Sequence, residues 1–335
     1  MVWMLTALLG CGGGAAPTEA PKEAPAAAAP VERTLTLAAY TTPREAYGRA
    51  ILPAFAESWK KSTGEIVKFD ASYQGSGAQA RAVVGGLEAD VVALSLDPDV
   101  QVIADAGLIS HDWRAVGAAG MVSRSVVVLA VRKGNPKGIK DWSDLTRPDV
   151  EVLTPDVRTS GGAIWNVAAI WGGGLRGGLD EAGAEDQLSK ILGRVRVMDK
   201  GARESITTFE KGVGDVAITY ENEVLVARSE GREMDYVIPP RSIRIDNPAA
   251  VVDTYAKAHG NHDLATAFVA FLGTPESQRA FADYGLRPVD TSLTPVGLPE
   301  PADVFTIRDL GGWTATKAKV FDKGGVYDQA APSGP

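Results

Sequence analysis

The chain has 335 residues, 45% hydrophobic and 23% charged, with 37 Gly, 20 Pro, one Cys and a formal net charge of −8. That composition suits a globular chain long enough for about two domains and excludes collagenous, disordered and membrane-spanning classes. One cysteine excludes a disulfide framework and a cysteine-built zinc site. The three histidines (His111, His259, His262) lack metal-binding spacing, and the acidic balance argues against a nucleic-acid partner. A small anion is not excluded, because backbone N–H groups bind anions whatever the net charge.

Val2 to Leu9 is an apolar run far shorter than the ~20 residues of a spanning helix. It ends in Leu8-Leu9-Gly10-Cys11, which resembles the lipobox of bacterial lipoproteins, although no Lys or Arg precedes it. Residues 12–33, rich in Ala, Pro and Gly, cannot bury a core and read as a tether. A lipidated Cys11 followed by a spacer predicts a periplasmic or cell-surface protein anchored to the membrane.

Along the body, β-branched runs alternate with helical stretches. Leu35 to Ala39 predicts a strand, and Thr42-Pro43-Arg44-Glu45 predicts a capping box opening a helix that Gly64 ends. Ile66–Phe69 and Asp90–Ser95 predict strands flanking a helix that runs to about Leu87. Further strands are expected at Val126–Val131, Val150–Thr154, Val195–Met198 and Asp215–Thr219. Between them fall helices at Gly161–Trp171, Glu185–Leu192 and Arg203–Lys211. Strands separated by helices predict a doubly wound, mostly parallel α/β architecture, with ligands at the carboxyl ends of the strands.

Four loops at such ends carry the same chemistry: Tyr40-Thr41-Thr42, Ser72 to Gly77 with Ser76 as expected N-cap, Thr159 to Ala163, and Lys200 to Arg203. Small residues let the backbone approach a ligand, and a helix start offers free N–H groups and a positive dipole end. Gly and Ser also cap helices for purely structural reasons, so it is the recurrence of the pattern that predicts a cleft of uncharged donors. A serine hydrolase is the enzymatic alternative, but Ser76 and Ser160 lie outside any GxSxG, and no phosphate-cradling GxxxxGK[ST] occurs.

Several strings together carry a family resemblance. They are Gly75-Ser76-Gly77 with Gln79, Val131 to Lys137 followed by Asp141-Trp142, Ser160 to Ala163 with Trp165-Asn166, Gly201-Ala202-Arg203, Glu221-Asn222-Glu223, and Gly311-Gly312-Trp313. From about Leu35 to Gln329 the chain resembles the periplasmic sulfate-binding proteins, the receptors of sulfate/thiosulfate ABC importers. The resemblance implies a type II periplasmic binding-protein architecture, with two α/β lobes joined by crossing hinge strands. Lobe 1 would comprise residues 34–121 plus about 241–290, lobe 2 residues 122–240, and a tail at 291–335 would pack across the lobes.

The resemblance also implies the site, carried over position by position. Thr41 would donate a backbone N–H, Ser76 a hydroxyl, Ser160 a hydroxyl, Gly161 and Gly162 amides, Ala202 another amide, and Tyr220 a phenol where the family places a Trp. The implied function is capture of sulfate, or thiosulfate, without catalysis or cofactor, and delivery by a monomer to a membrane permease. A site of donors alone suits a fully ionised oxyanion and penalises a protonated one. Molybdate or tungstate and phosphate are the rival ligands, and Glu221, beside Tyr220, is the carboxylate best placed to admit phosphate.

Overall fold

A computed structural model describes residues 31–330. Cys11, the apolar run before it and most of the expected tether lie outside the described residues. Strand β1 (Glu32–Tyr40) leads into α1 (Arg44–Ala46), which continues through a π turn at Tyr47–Ile51 into α2 (Leu52–Thr63). Gly64, with φ of 80°, ends that helix as expected. There follow β2 (Ile66–Gln74), α3 (Ser76–Val84), β3 (Val91–Ala93) and α4 (Asp97–Asp105).

The long β4 (Met121–Arg132) then enters a second set of elements: β5 (Val152–Leu153), α5 (Gly161–Arg176), α6 (Glu181–Leu192), β6 (Val195–Val197), α7 (Ala202–Glu210), β7 (Val216–Tyr220), α8 (Glu221–Ser229) and β8 (Met234–Val237). A second long strand, β9 (Arg241–Val251), returns to α9 (Asp253–Ala258), α10 (His262–Leu272) and α11 (Pro275–Asp283). The chain closes with β10 (Asp303–Phe305), α12 (Gly312–Thr316) and α13 (Val326–Ala330).

The main strand order is β2-β1-β3-β9-β4-β7-β5-β6, with β10 on β9 and β8 on β4. The outer pairs are parallel, as expected, but the middle of the sheet is not. There β9 runs antiparallel to β3 and β4, and β4 runs antiparallel to β7 and β8. The cause is topological: the chain crosses between the two sets of elements once in each direction, so β4 and β9 must oppose one another. β9 pairs with β3 of the first set, β4 pairs with β7 and β8 of the second, and the two pair with each other, which makes them the physical link between the halves.

Apolar packing divides in the same way. Leu35, Leu37, Phe55, Phe268 and Phe281 pack with β1–β3 and the helices after β9. Leu129, Trp142, Trp165, Ile170 and Ile218 pack around α5. The tail adds Phe305, Val320 and Val326 to the second core, and Trp313 stands edge-on to Trp165 with centroids 4.9 Å apart. Each such side chain withdraws surface worth about 1.5–3 kcal/mol from water.

Three local expectations need correction. The first helix has Pro43 at its N-cap with no side-chain cap bond, and Glu45 reaches Arg203 instead of closing a capping box. Gly75, not Ser76, is the N-cap of α3, because the Ser76 hydroxyl is drawn to Asp99. Helix α5 runs past Trp171 through Gly172-Gly173-Gly174, where the missing side chains admit neighbours. A Cβ at Gly172 would lie 2.4 Å from the Phe305 ring and one at Gly173 would lie 2.6 Å from the Trp142 indole nitrogen.

Candidate functional site

The expected site residues sit where five strands end. Thr41 follows β1, Ser76 follows β2, Ser160 to Gly162 follow β5, Ala202 follows β6 and Tyr220 ends β7; Ser95, which the sequence reading did not single out, follows β3. All seven expected residues are buried. Small residues explain how they meet. A Cβ at Gly162 would lie 2.9 Å from the Tyr220 ring and 3.3 Å from both the Ala202 methyl and the Ser160 hydroxyl. One at Gly161 would lie 2.6 Å from the Ser95 hydroxyl, and one at Gly201 would lie 3.6 Å from the Thr41 hydroxyl.

Helix starts supply the donors. Gly161 and Gly162 open the 16-residue α5, and Ala202 opens α7, so their amides have no upstream carbonyl in their own helices. The Ser160 hydroxyl caps α5 by accepting from the Ala163 amide at 3.4 Å, which leaves its own proton unspent. The dipoles of both helices favour negative charge at the same point.

Ser76 behaves differently from the expectation. Its hydroxyl donates to Asp99 at 2.5 Å and accepts from the Ser95 amide at 2.9 Å, so what it can still offer an anion is its own first-turn amide. Burial raises the Asp99 carboxyl to about 6, against the opposing pull of Ser76, Arg81 and Lys317. The Ser95 hydroxyl in turn meets the Tyr220 phenol at 2.5 Å, while the Ser95 carbonyl accepts from the Trp165 indole at 3.1 Å and the Asn247 amide at 3.2 Å. Burial, foremost, pushes the Tyr220 phenol well above its ordinary range, so it is neutral.

Three of the other nearby carboxylates are held by arginines, while Glu204, in the first turn of α7, is exposed. Arg203 donates to both oxygens of Glu45 at 2.6 and 2.8 Å and to Glu223 at 2.6 Å. Burial disfavours a charged Glu45, but Arg203 outweighs it and holds that carboxyl below its ordinary value. For Glu223 burial wins and the value rises, with Arg203 opposing. Glu221 is clamped by Arg287 at 2.8 and 3.1 Å, so the carboxylate best placed to admit a protonated anion is engaged elsewhere.

The two halves touch around this point. The Ala78 amide donates to the Thr159 carbonyl at 3.4 Å, and Arg81 donates to the Arg158 carbonyl at 3.0 Å. The histidines lie with other partners: His111 and His262 both bond Asp253, and His259 bonds Asp90 and Glu88. Among the described residues the Ser76 and Ser160 hydroxyls bond no histidine, so the pairing a serine hydrolase needs is not formed.

Sequence reasoning missed Ser95, Asp99 and the clamping role of Arg203. The signal for the first two was present, since Ser95-Leu96-Asp97-Pro98-Asp99 follows a strand and opens a helix as the four chosen loops do. The partners of Arg203 lie 158 and 20 residues away, beyond any local pattern.

Comparison with known proteins identifies the family. The family model described as bacterial extracellular solute-binding protein matches residues 35–287. A "Sulfate-binding protein" of Synechococcus elongatus is 46% identical over 90% of this chain and 86% of its own. A "Thiosulfate-binding protein" of Pseudomonas aeruginosa is 35% identical over 83% of this chain and 86% of its own. The solved structure of the sulfate-binding protein SubI from Mycobacterium tuberculosis superposes with a TM-score of 0.80 at 37% identity, covering 87% of this chain and all of that one. The chain belongs to the bacterial extracellular solute-binding proteins and, within them, to the family of the sulfate-binding proteins.

Proposed function

We propose that this protein captures sulfate, with thiosulfate as the nearest alternative, and delivers it to the permease of an ABC importer. One observation carries the reading. First-turn amides of α5 and α7, with the Ser160 hydroxyl, converge in a buried cleft where the carboxylates Asp99, Glu221 and Glu223 are each tied to another group. A fully ionised tetrahedral anion only accepts hydrogen bonds, and each buried bond to such a charge contributes about 1.5–3 kcal/mol. Thr41, Ser76, Ser160, Gly161, Gly162, Ala202 and Tyr220 form the proposed contact set, Ser76 through its amide.

Capture needs no bond-making step. Residues 34–121 with about 241–290 act as one lobe and 122–240 as the other, hinged on β4 and β9, with the tail from 291 packed against them. Anion contacts shared by both lobes favour the closed arrangement, which the permease reads. The protein works outside the cytoplasm as a monomer, held to the membrane by a lipid on Cys11. Among the described residues no helix is long and apolar enough to cross a membrane.

Thermal unfolding of anion-stripped protein tests the reading. A ligand that binds only the folded form raises the melting temperature by mass action, so sulfate produces the largest rise among sulfate, thiosulfate, molybdate and phosphate. No rise with any oxyanion sinks the proposal, and a larger rise with molybdate reassigns the ligand.

A further inference from the structure

Trp165 lies outside the contact set above, yet it joins the two halves within a few residues of it. It stands in α5 one turn beyond Gly161 and Gly162, and its indole N–H donates across to the Ser95 carbonyl at 3.1 Å. That carbonyl already has a donor from its own half, the Asn247 side-chain amide at 3.2 Å. Asn247 belongs to β9, and the Leu94 amide donates to the carbonyl of the next residue, Pro248, at 2.9 Å, so the loop after β3 is tied into one body with β9. The Ser95 amide then donates to the Ser76 hydroxyl at 2.9 Å. Trp165 and Ser95 are both 1% exposed.

We propose that Trp165 is the latch of lobe closure, a positioning residue whose indole N–H bonds the Ser95 carbonyl only when the halves are together and so sets how long a captured anion stays. The inference rests on the reading of the cleft as an anion site between closing lobes. A backbone carbonyl has two lone pairs. Asn247 takes one of them in either arrangement, and α5 brings a donor for the other as it closes. The approach is tight: a Cβ at Gly161 would lie 2.6 Å from the Ser95 hydroxyl oxygen, so the turn of α5 that offers amides to the anion rests directly on Ser95.

The C-terminal tail holds the latch in place. Trp313 packs on the Trp165 ring at an interplanar angle of 65°, an edge-to-face contact that fixes the orientation of the indole and hence of its N–H. Phe305 and Val320 of the tail pack in the same core as Trp165. The ring is therefore set by its own half, and its N–H meets the Ser95 carbonyl in the closed arrangement and water in the open one. An anion enters the open form, so the latch acts on escape rather than on entry.

Chasing radiolabelled sulfate from the protein with unlabelled sulfate gives the dissociation rate, and calorimetry of the anion-stripped protein gives the dissociation constant. Trp165→Phe, which keeps a ring against Trp313 but no donor, is expected to raise both about 5- to 10-fold, the size of one neutral hydrogen bond, so that the association rate is unchanged. Replacing Trp165 by 3-benzothienylalanine, which has sulfur where the indole has N–H, gives the same rise and covers any failure of the Phe variant to fold. Trp313→Leu raises the dissociation rate by itself and adds nothing on the Trp165→Phe background, because the orientation it disturbs no longer matters there. An unchanged dissociation rate in both replacements of Trp165 overturns the proposal, as does a loss of affinity carried by the association rate. An equal effect of Trp313→Leu on both backgrounds overturns the role of the tail. Absence of sulfate binding in wild type overturns the sulfate reading instead.

Discussion

Arg203 and Glu45 meet across the cleft through two N–H···O contacts of 2.6 and 2.8 Å, while the same guanidinium holds Glu223 at 2.6 Å. One planar fork thus ties the start of α7 to the first helix of the opposite half and neutralises a carboxylate that is 1% exposed, bonding one of its oxygens.

Removing the cation leaves Glu223 buried without a partner. Arg203→Ala is expected to lower unfolding free energy by about 3 kcal/mol, the range found when one member of a buried pair is deleted. Urea denaturation measures it. Glu45→Gln, which keeps the Arg203–Glu223 pair, should cost far less stability while weakening sulfate binding. Equal losses in the two variants would show that the clamp does not divide as described.

Gly75 is a lever on closure. Its φ of −59° suits any residue, but a Cβ there would lie 2.4 Å from the Thr159 carbonyl oxygen and 3.0 Å from that of Lys200, both on the opposite half. Backbone oxygens cannot step aside as a side-chain end can. Gly75→Ala is therefore expected to hold the halves apart, weaken sulfate about 100-fold through loss of the competent population, and leave the anion-free melting temperature within a few degrees. Calorimetry and small-angle scattering check this, and an unaltered affinity refutes it.

Asp99 links stability to pH. Its folded value of about 6 stands above the ordinary 3.8, chiefly because burial disfavours the charge. The folded state therefore holds the proton longer than the unfolded chain does. Stability attributable to this group is full below about 3.8, falls as pH rises toward 6 and stays lower above it. Asp99→Asn, which can still accept from Ser76, is expected to melt higher than wild type at pH 8 and to lose that advantage at pH 4. A gap of the same size at both pH values contradicts the assignment.

His259 has the opposite partner chemistry. Its bond to the buried Asp90 raises its value above the ordinary 6.5, with Glu88 assisting. The protonated form is favoured by folding, so its contribution is complete below about 6.5 and disappears as pH rises through the folded value. His259→Gln should lower the melting temperature at pH 6 and change little at pH 9.5. A deficit that persists unchanged at high pH would point to lost packing rather than lost charge.

Much of this molecule was legible locally. The run Leu35–Ala39 sits inside β1, and Asp215–Thr219 matches β7 to within one residue at each end, because buried strands are continuous β-branched and apolar stretches. Helix starts at Gly161 and near Ala202 were legible because capping and glycine act over three or four residues. The same rule, applied to one more strand end, would have reached Ser95.

What the amino-acid sequence determined by itself was the alternation of elements and which strand-end loops carry donor chemistry, since periodicity and capping are short-range effects. Only the tertiary structure decided the antiparallel middle of the sheet, the length of α5 past three glycines, and the fate of each polar group. Ser76 serves Asp99, Glu45 serves Arg203 and Tyr220 meets Ser95 because burial penalises an unpaired donor or acceptor, wherever in the chain its partner lies.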